Sequence, residues 1–253
     1  MPIGVLLKQV PDTTAKIGVS GGRGDEAAVS KWSMSPYDEY ALESALRVKE
    51  SSGGAVVAIT CGPARAAKML TDAAAGGVDS LMHVQIGSQD SLDSTQIQSI
   101  LAAALERAGC DVVFCGKQAA DTNGGSTGPG VAMLMDASCV SHVSEVSADG
   151  GGYLALRASP SGDERVHVSA PCVFAFDKGS EELRRPNVRG IMMAKKKVIE
   201  TVSPGDLGVS MDESRVTLVS HSPPPEKQPG QKFEGADSVA TVVGTLRDEA
   251  NVI

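Results

Sequence analysis

The chain has 253 residues, enough for one large α/β domain with appendages. Hydrophobic residues make up 42%, ordinary for a soluble globular protein, while aromatics are only 3%, so an aliphatic core of Ala, Val, Leu, Ile and the nine Met is expected. The formal net charge of −8 disfavours a large phosphate-backbone footprint, and the scarcity of aromatics argues against single-strand nucleic-acid binding by stacking.

Residues 3–7 (IGVLL) are a short apolar run that fits a buried parallel strand. KQVPD at 8–12 closes it, with Pro11 blocking continuation. Residues 16–20 and 28–32 are β-leaning pieces around Gly21, Gly22 and Gly24, a predicted β-hairpin excursion. Ser35 is a good helix N-cap with Pro36 in the first turn, and Ala41, Leu42, Ala45, Leu46 and Val48 approximate helical spacing. Asp38, Glu39 and Glu43 suit the dipole of that helix and need no catalytic role.

Residues 55–60 are a second buried strand, and Gly62-Pro63 starts a helix to about residue 75. Strand 80–86, helix 91–108 and strand 111–115 follow, the last ended by Gly116, and another helix covers 126–135. This alternation predicts a doubly wound, mostly parallel sheet of Rossmann-like, adenine nucleotide α-hydrolase-like type. Ligand sites then lie beyond the strand C-termini. Residues 139–146, 153–159, 165–168 and 172–176 read as later, partly antiparallel strands between Gly and Ser turns. Residues 203–232 are rich in Pro, Ser and Gly and form an extended arm, and 236–250 suit a short helix. The expected organisation is a domain at 1–202 and a C-terminal arm at 203–253 that packs on a partner.

Five cysteines, an odd count without CxxC or Cys/His ligand spacing, read as reduced thiols in a reducing compartment. The N-terminal apolar run is too short for a signal peptide, and no later stretch is long enough to span a bilayer. The four histidines form no triad or metal spacing, and no general acid–base constellation is visible.

GKQAADTNGGSTGPG at 116–130 follows a strand and opens a helix, where backbone N–H groups and the helix dipole favour an anion. Gly124, Gly125 and Gly128 allow close backbone approach to a phosphate. Ser126 and Thr127 supply hydroxyls, and Asp121 or Asn123 could hold a ribose. The string is neither GxGxxG nor a P-loop, and a plain flexible loop is the competing reading. Loops after the first strand (Leu7, Lys8, Gln9) and the second (Cys61, Gly62) should reach the same sheet edge. Cys61 has no His near it in sequence to activate it as a nucleophile.

Residues 185–197, RPNVRGIMMAKKK, place a Pro-Asn turn before an apolar triplet and three lysines, a pattern closer to a docking loop than to a helix face. With KQVPD, the KWSMSPYDE segment, TCGPA at 60–64, GKQAAD, SPGDLGV at 203–209 and the terminal LRDEANVI, in that order, the chain resembles the β subunit of electron-transfer flavoproteins nearly throughout. The resemblance implies a non-catalytic electron-carrier subunit in a heterodimer with an α subunit that holds most of an FAD. Electrons would pass from flavoprotein dehydrogenases to a quinone reductase or another acceptor. It implies a structural AMP in this subunit, with a second FAD as in the electron-bifurcating branch as the alternative.

By the same resemblance the nucleotide loops fall on Leu6, Ser35, Cys61, Gly116 and the 121–128 segment, which includes Asp121, Asn123, Gly125, Ser126, Thr127 and Gly128. The flavin-side positions fall on Thr13 and Tyr37, and the partner loop falls on Val188, Ile191, Met192, Lys195, Lys196 and Lys197. The family's loop after GKQA usually carries several Asp and an Asn-Gln-Thr or Ala-Gln-Val triplet, where this chain has Gly125-Ser126-Thr127. Thr127 resembles the AMP branch, whereas the Arg-Gly before Ile191 looks closer to the bifurcating branch. Val188 stands where the family's docking anchor is usually Leu, a plug about one methylene smaller, or roughly 0.8 kcal/mol. The implied compartment is the bacterial cytoplasm or the mitochondrial matrix. An ATP-pyrophosphatase-like enzyme would need a phosphate loop where KQVPD stands, and a stand-alone adenine-nucleotide module would be shorter and lack the lysine loop.

Overall fold

A computed structural model describes residues 2–87, 92–211, 214–226 and 229–253. The first half of the chain forms β1 (Ile3–Leu6), β2 (Gln9–Pro11), β3 (Val19–Ser20), β4 (Arg23–Gly24), β5 (Trp32–Met34), α1 (Pro36–Ser52), β6 (Val56–Gly62), α2 (Ala67–Gly76), β7 (Ser80–Gln85) and α3 (Ser94–Ala108). The second half forms β8 (Val112–Gly116), α4 (Thr127–Leu134), β9 (Ser138–Asp149), β10 (Gly152–Ser159), β11 (Gly162–Val168), β12 (Cys172–Phe176), α5 (Val188–Ala194), β13 (Ile199–Val202) and α6 (Val239–Asp248).

Nine strands make one sheet in the order β11-β10-β9-β12-β8-β1-β6-β7-β13. Within that sheet, among the described residues, only the β9–β10 and β10–β11 pairs are antiparallel. The doubly wound α/β reading therefore holds. β1, β6 and β8 are buried at every residue, as strands covered on both faces must be. Alternate side chains divide the core into two layers. Val5, Phe114 and Phe174 pack with Leu42 and Leu46 of α1 and Leu70 of α2. Leu6, Val113 and Val173 pack with Ile100 and Leu105 of α3 and Val131 of α4.

Several sequence expectations need correction. The core is not purely aliphatic: Phe114, Phe174 and Phe176 are fully buried at its centre, with ring centroids 5.2 and 5.6 Å from Phe114. Such pairs add about 0.5–1.5 kcal/mol each beyond area burial, so a few rings on two adjacent strands outweigh their share of composition. Pro11 does not stop pairing. Residues 9–11 form a short antiparallel ladder with β5, where Pro11 occupies the last position. The hairpin is β3 against β4, tighter than expected; of the expected second arm at 28–32, Ala28 ends a 3-10 turn and only Trp32 is in a strand, β5, which pairs with β2. Helix α3 begins at a capping box in which Asp93 accepts from the Gln96 N–H; residue 91, the expected start, lies outside the described residues.

Past β13 the chain leaves the sheet, although Leu207 and Val209 still pack against the second core layer. The arm then touches the domain at two polar points. The Arg215 N–H donates to Asp93 at 2.8 Å, and His221 meets the β3–β4 hairpin, accepting from the Gly24 N–H at 3.1 Å. α6 buries none of its residues, and Val239, Val243 and Leu246 make an exposed stripe at helical spacing.

Candidate functional site

The C-terminal ends of β1, β6 and β8 open into one cavity of about 250 Å³. Leu6 ends β1 and Lys8 follows it, Cys61 lies at the end of β6, and Gly116 ends β8. Asp121, Gly125, Ser126 and Thr127 close the far side, so eight residues from separate stretches meet at one edge. Of the nucleotide positions inferred from sequence, Leu6, Cys61, Gly116, Asp121, Gly125, Ser126 and Thr127 line this cavity. Ser35, Asn123 and Gly128 are not among its lining residues, although the Ser35 N–H donates to the Lys8 carbonyl at 2.9 Å.

The 121–128 loop is held from three directions. Lys8 bridges to Asp121 at 2.8 Å across the mouth. Gln98 of α3 donates to the Ser126 carbonyl at 3.0 Å and to its hydroxyl at 3.3 Å. Asn123 takes a left-handed conformation (φ 50°) and accepts from the Gln118 amide at 2.9 Å. Gly125 is also left-handed, at φ 68°, where glycine carries no Cβ penalty. Gly128 has no room for a side chain, since a Cβ there would lie 2.9 Å from the Cys115 sulfur. That contact seats the start of α4 directly on β8.

α4 begins at Thr127, and Ser126 makes no side-chain capping bond. The first N–H groups of a helix have no intrahelical partner, so those near Thr127 and Gly128 are donors available to an anion. Pro129 contributes no N–H.

Asp38 is a floor residue that the helix-dipole reading underestimated. Its carboxylate is buried and accepts from the Lys8 N–H at 2.7 Å and the Gly116 N–H at 2.9 Å. It thereby ties α1 to the ends of β1 and β8. Burial pushes its carboxyl up to about 7, against the pull of those two donors. Burial likewise pushes the Cys61 thiol up to about 12, which leaves it an inert wall rather than a nucleophile. Ser35 is fully buried at the start of α1, but its hydroxyl makes no cap bond; it and Thr60 keep hydroxyls without a partner among the described residues.

Tyr37 lies at the same sheet edge, outside the cavity, with the Lys117 ammonium 5.0 Å from its ring centre. Lys117 also bridges to Asp177 at 2.7 Å, which His142 approaches at 3.3 Å from a left-handed position in β9. Thr13 is exposed beyond β2.

Residues 188–194 of the 185–197 segment form a short helix, α5, rather than a loop. Asn187 caps α5 by accepting from the Gly190 N–H at 2.8 Å, a signal that an Asn three residues before a glycine could have given. Gly190 rests on α2, where a Cβ would lie 2.5 Å from the Ala75 carbonyl oxygen. Outward, Val188 is 75% exposed, Met192 61% and Ile191 43%. The three lysines divide. Lys195 and Lys196 are exposed, whereas Lys197 turns inward and donates to the carbonyls of Val78 and Asp79.

The other end of α5 is fixed by Arg184, which sequence reading passed over because nothing local marks it. It donates to buried Glu43 and to Glu50 on α1. Burial alone would raise the Glu43 carboxyl; the hydrogen bonds from Arg184 and Arg47 outweigh it and hold it below the ordinary range.

Residues 27–207 match the family model of the electron transfer flavoprotein domain. The electron transfer flavoprotein subunit beta of Bacillus subtilis is 32% identical over 259 residues, covering all of both chains. This chain belongs to the electron transfer flavoprotein β-subunit family. The mouse protein of that name is 34% identical over 239 residues, 93% of each chain. The Bradyrhizobium diazoefficiens protein is 30% identical over 255 residues and all of both chains. Among the described residues no helix is long and apolar enough to cross a membrane, and no group of three or more His, Cys, Asp or Glu is placed to hold a metal ion.

Proposed function

We propose that this chain is the AMP-holding half of a heterodimeric electron-transfer flavoprotein. An α subunit shares an FAD with it, and the pair carries electrons from flavoprotein dehydrogenases to a quinone reductase or another acceptor. Bound FAD supplies the redox chemistry; the residues of this chain bind, orient and exclude water. It works in the bacterial cytoplasm or the mitochondrial matrix.

The cavity at the ends of β1, β6 and β8 carries this reading. Its backbone suits a phosphate: open N–H donors at the start of α4, left-handed Gly125, and Gly128 pressed onto the sheet. Thr127 adds a hydroxyl donor. The carboxylates nearby are already engaged, Asp121 by Lys8 and Asp38 by two N–H groups, so they leave the phosphate end unopposed. At about 250 Å³ the cavity lies just under the roughly 300–1,000 Å³ common for small-molecule pockets. That size favours AMP over FAD, which is AMP joined to a whole FMN.

The arm from residue 203 embraces the α subunit, which explains why α6 leaves Val239, Val243 and Leu246 exposed. α5 is the docking element for a dehydrogenase, with Val188, Ile191 and Met192 as anchors, Lys195 and Lys196 steering, and Lys197 fixing the base. Acid extraction of the purified heterodimer followed by chromatography tests the nucleotide. AMP near one per complex is expected; FAD at two per complex without AMP would overturn the assignment.

A further inference from the structure

Ser126 stands at the head of α4 without acting as its cap. A serine at that position ordinarily takes extended backbone and folds its hydroxyl back to accept from the second or third N–H of the helix. Ser126 sits instead at φ −98° and ψ −12°, and its side chain makes no such bond. Pro129 removes the third N–H, so Gly128 keeps the one N–H that a cap would have covered.

The cause lies on the neighbouring helix. Gln98 of α3 places its amide nitrogen 3.0 Å from the Ser126 carbonyl and 3.3 Å from the Ser126 hydroxyl. A carbonyl only accepts, which fixes the amide nitrogen on that side, and the same group then donates to the hydroxyl. The Ser126 carbonyl also receives the Gly130 N–H at 2.9 Å, so this residue is held from both helices. With a lone pair engaged by Gln98, the hydroxyl has its own proton left to give. No acceptor for that proton is found among the described residues. Ser126 lines the nucleotide cavity, whereas Gln98 does not.

Gly130 makes the room. A Cβ there would run into the Gln98 amide, 2.6 Å from its nitrogen. Glycine inside a helix costs stability, and here it is the absence of a side chain that lets Gln98 lie against the first turn of α4.

We propose that Gln98 is a positioning residue for the phosphate of the nucleotide. It withdraws the Ser126 hydroxyl from capping and leaves it as a donor at the cavity edge, beside the N–H groups of Thr127 and Gly128 and the Thr127 hydroxyl. Gln98 and Gly130 therefore act on the ligand only through Ser126. This deepens the nucleotide reading of the cavity and rests on it.

The full heterodimer is equilibrated with isotope-labelled AMP, and unlabelled AMP or adenosine is titrated in as competitor. Gln98→Met keeps the length of the side chain and removes the amide. It should weaken AMP roughly tenfold and leave adenosine unchanged, because only the phosphate loses a donor. Ser126→Ala should do the same, and the two changes together should weaken AMP no more than either alone. Gly130→Ala displaces the Gln98 amide while raising the helix propensity of α4, so its loss of AMP cannot be laid to a weaker helix. Equal weakening of AMP and adenosine would reduce Gln98 to a general support of the loop and overturn the proposal. So would additive effects of Gln98→Met and Ser126→Ala, or AMP affinities in Gln98→Met and Gly130→Ala equal to that of the parent. A parent heterodimer that takes up no labelled AMP would overturn the nucleotide reading and this role with it, whereas a parent that binds AMP beside variants of equal affinity overturns this role alone.

Discussion

Arg184 grips Glu43 with three hydrogen bonds, from Nε at 2.9 Å, from Nη2 at 3.0 Å and from its own backbone N–H at 3.0 Å. Glu43 is buried on α1, while Arg184 precedes the exposed helix α5 by only a few residues. The pair therefore transmits the position of the central domain to a surface element. Removing one partner of a buried pair costs about 3–5 kcal/mol; Arg184 is part exposed, so Glu43→Ala should cost about 3 kcal/mol, read by urea unfolding. The folded-state pKa of Glu43 is depressed, so its contribution is full above the unfolded value near 4.3 and is lost as pH falls through the folded value. Glu43→Gln should flatten that acid limb, and an unchanged limb would show that the pair does not act as described.

Asp38 has the opposite sign. Its folded pKa is raised to about 7, so the folded state keeps the proton longer than the unfolded one does. Both states are protonated below about pH 3.9, and the folded state loses relative stability as pH rises from there to about 7. The difference in unfolding free energy between parent and Asp38→Asn should drift with pH across that window and level off above it. A constant difference would mean that Asp38 is ionised throughout.

Thr127→Val removes one hydroxyl from a charged group and should weaken AMP retention by about 1.5–3 kcal/mol, tenfold or more. Nucleotide remaining after extended gel filtration is the measurement. Full retention would assign the phosphate to backbone donors alone.

At α5 two variants separate anchoring from placement. Val188→Ala trims the anchor and should slow dehydrogenase-driven reduction while dithionite reduction stays normal. Gly190→Ala puts a Cβ 2.5 Å from the Ala75 oxygen, so it should lift α5 from α2 and also speed amide exchange across 188–194. Dehydrogenase-driven rates unchanged by Val188→Ala would leave the apolar face of α5 without a docking role.

Truncating the chain at Pro204 in the presence of its α partner removes the arm and α6. Loss of heterodimer and of FAD is expected. A full-affinity complex with full FAD would show that the arm does not embrace the partner.

The parallel half of the fold was legible because buried strands are continuous apolar runs and α1 carries its face at helical spacing. The cavity was legible for the same reason: a glycine-rich turn after a strand falls at the ligand edge wherever the topology is doubly wound. What escaped was long-range. Asp38 lies 78 residues from the Gly116 amide it binds, and Arg184 lies 141 residues from Glu43. No local pattern marks such partners, and a first-turn Asp looks the same whether it faces water or the floor of a site. α5 escaped because seven residues are too few for periodicity to tell a helix from a loop.

The uncovered stripe of Val239, Val243 and Leu246 has a cost outside the folded complex. A chain released from the ribosome without a mate displays the kind of greasy ridge that chaperones bind and proteases sample. Under the proposed embrace of an α subunit, its lifetime in the cell is set by the supply of the surface that hides the ridge, and balanced synthesis of the two chains becomes a requirement written into the last fifteen residues.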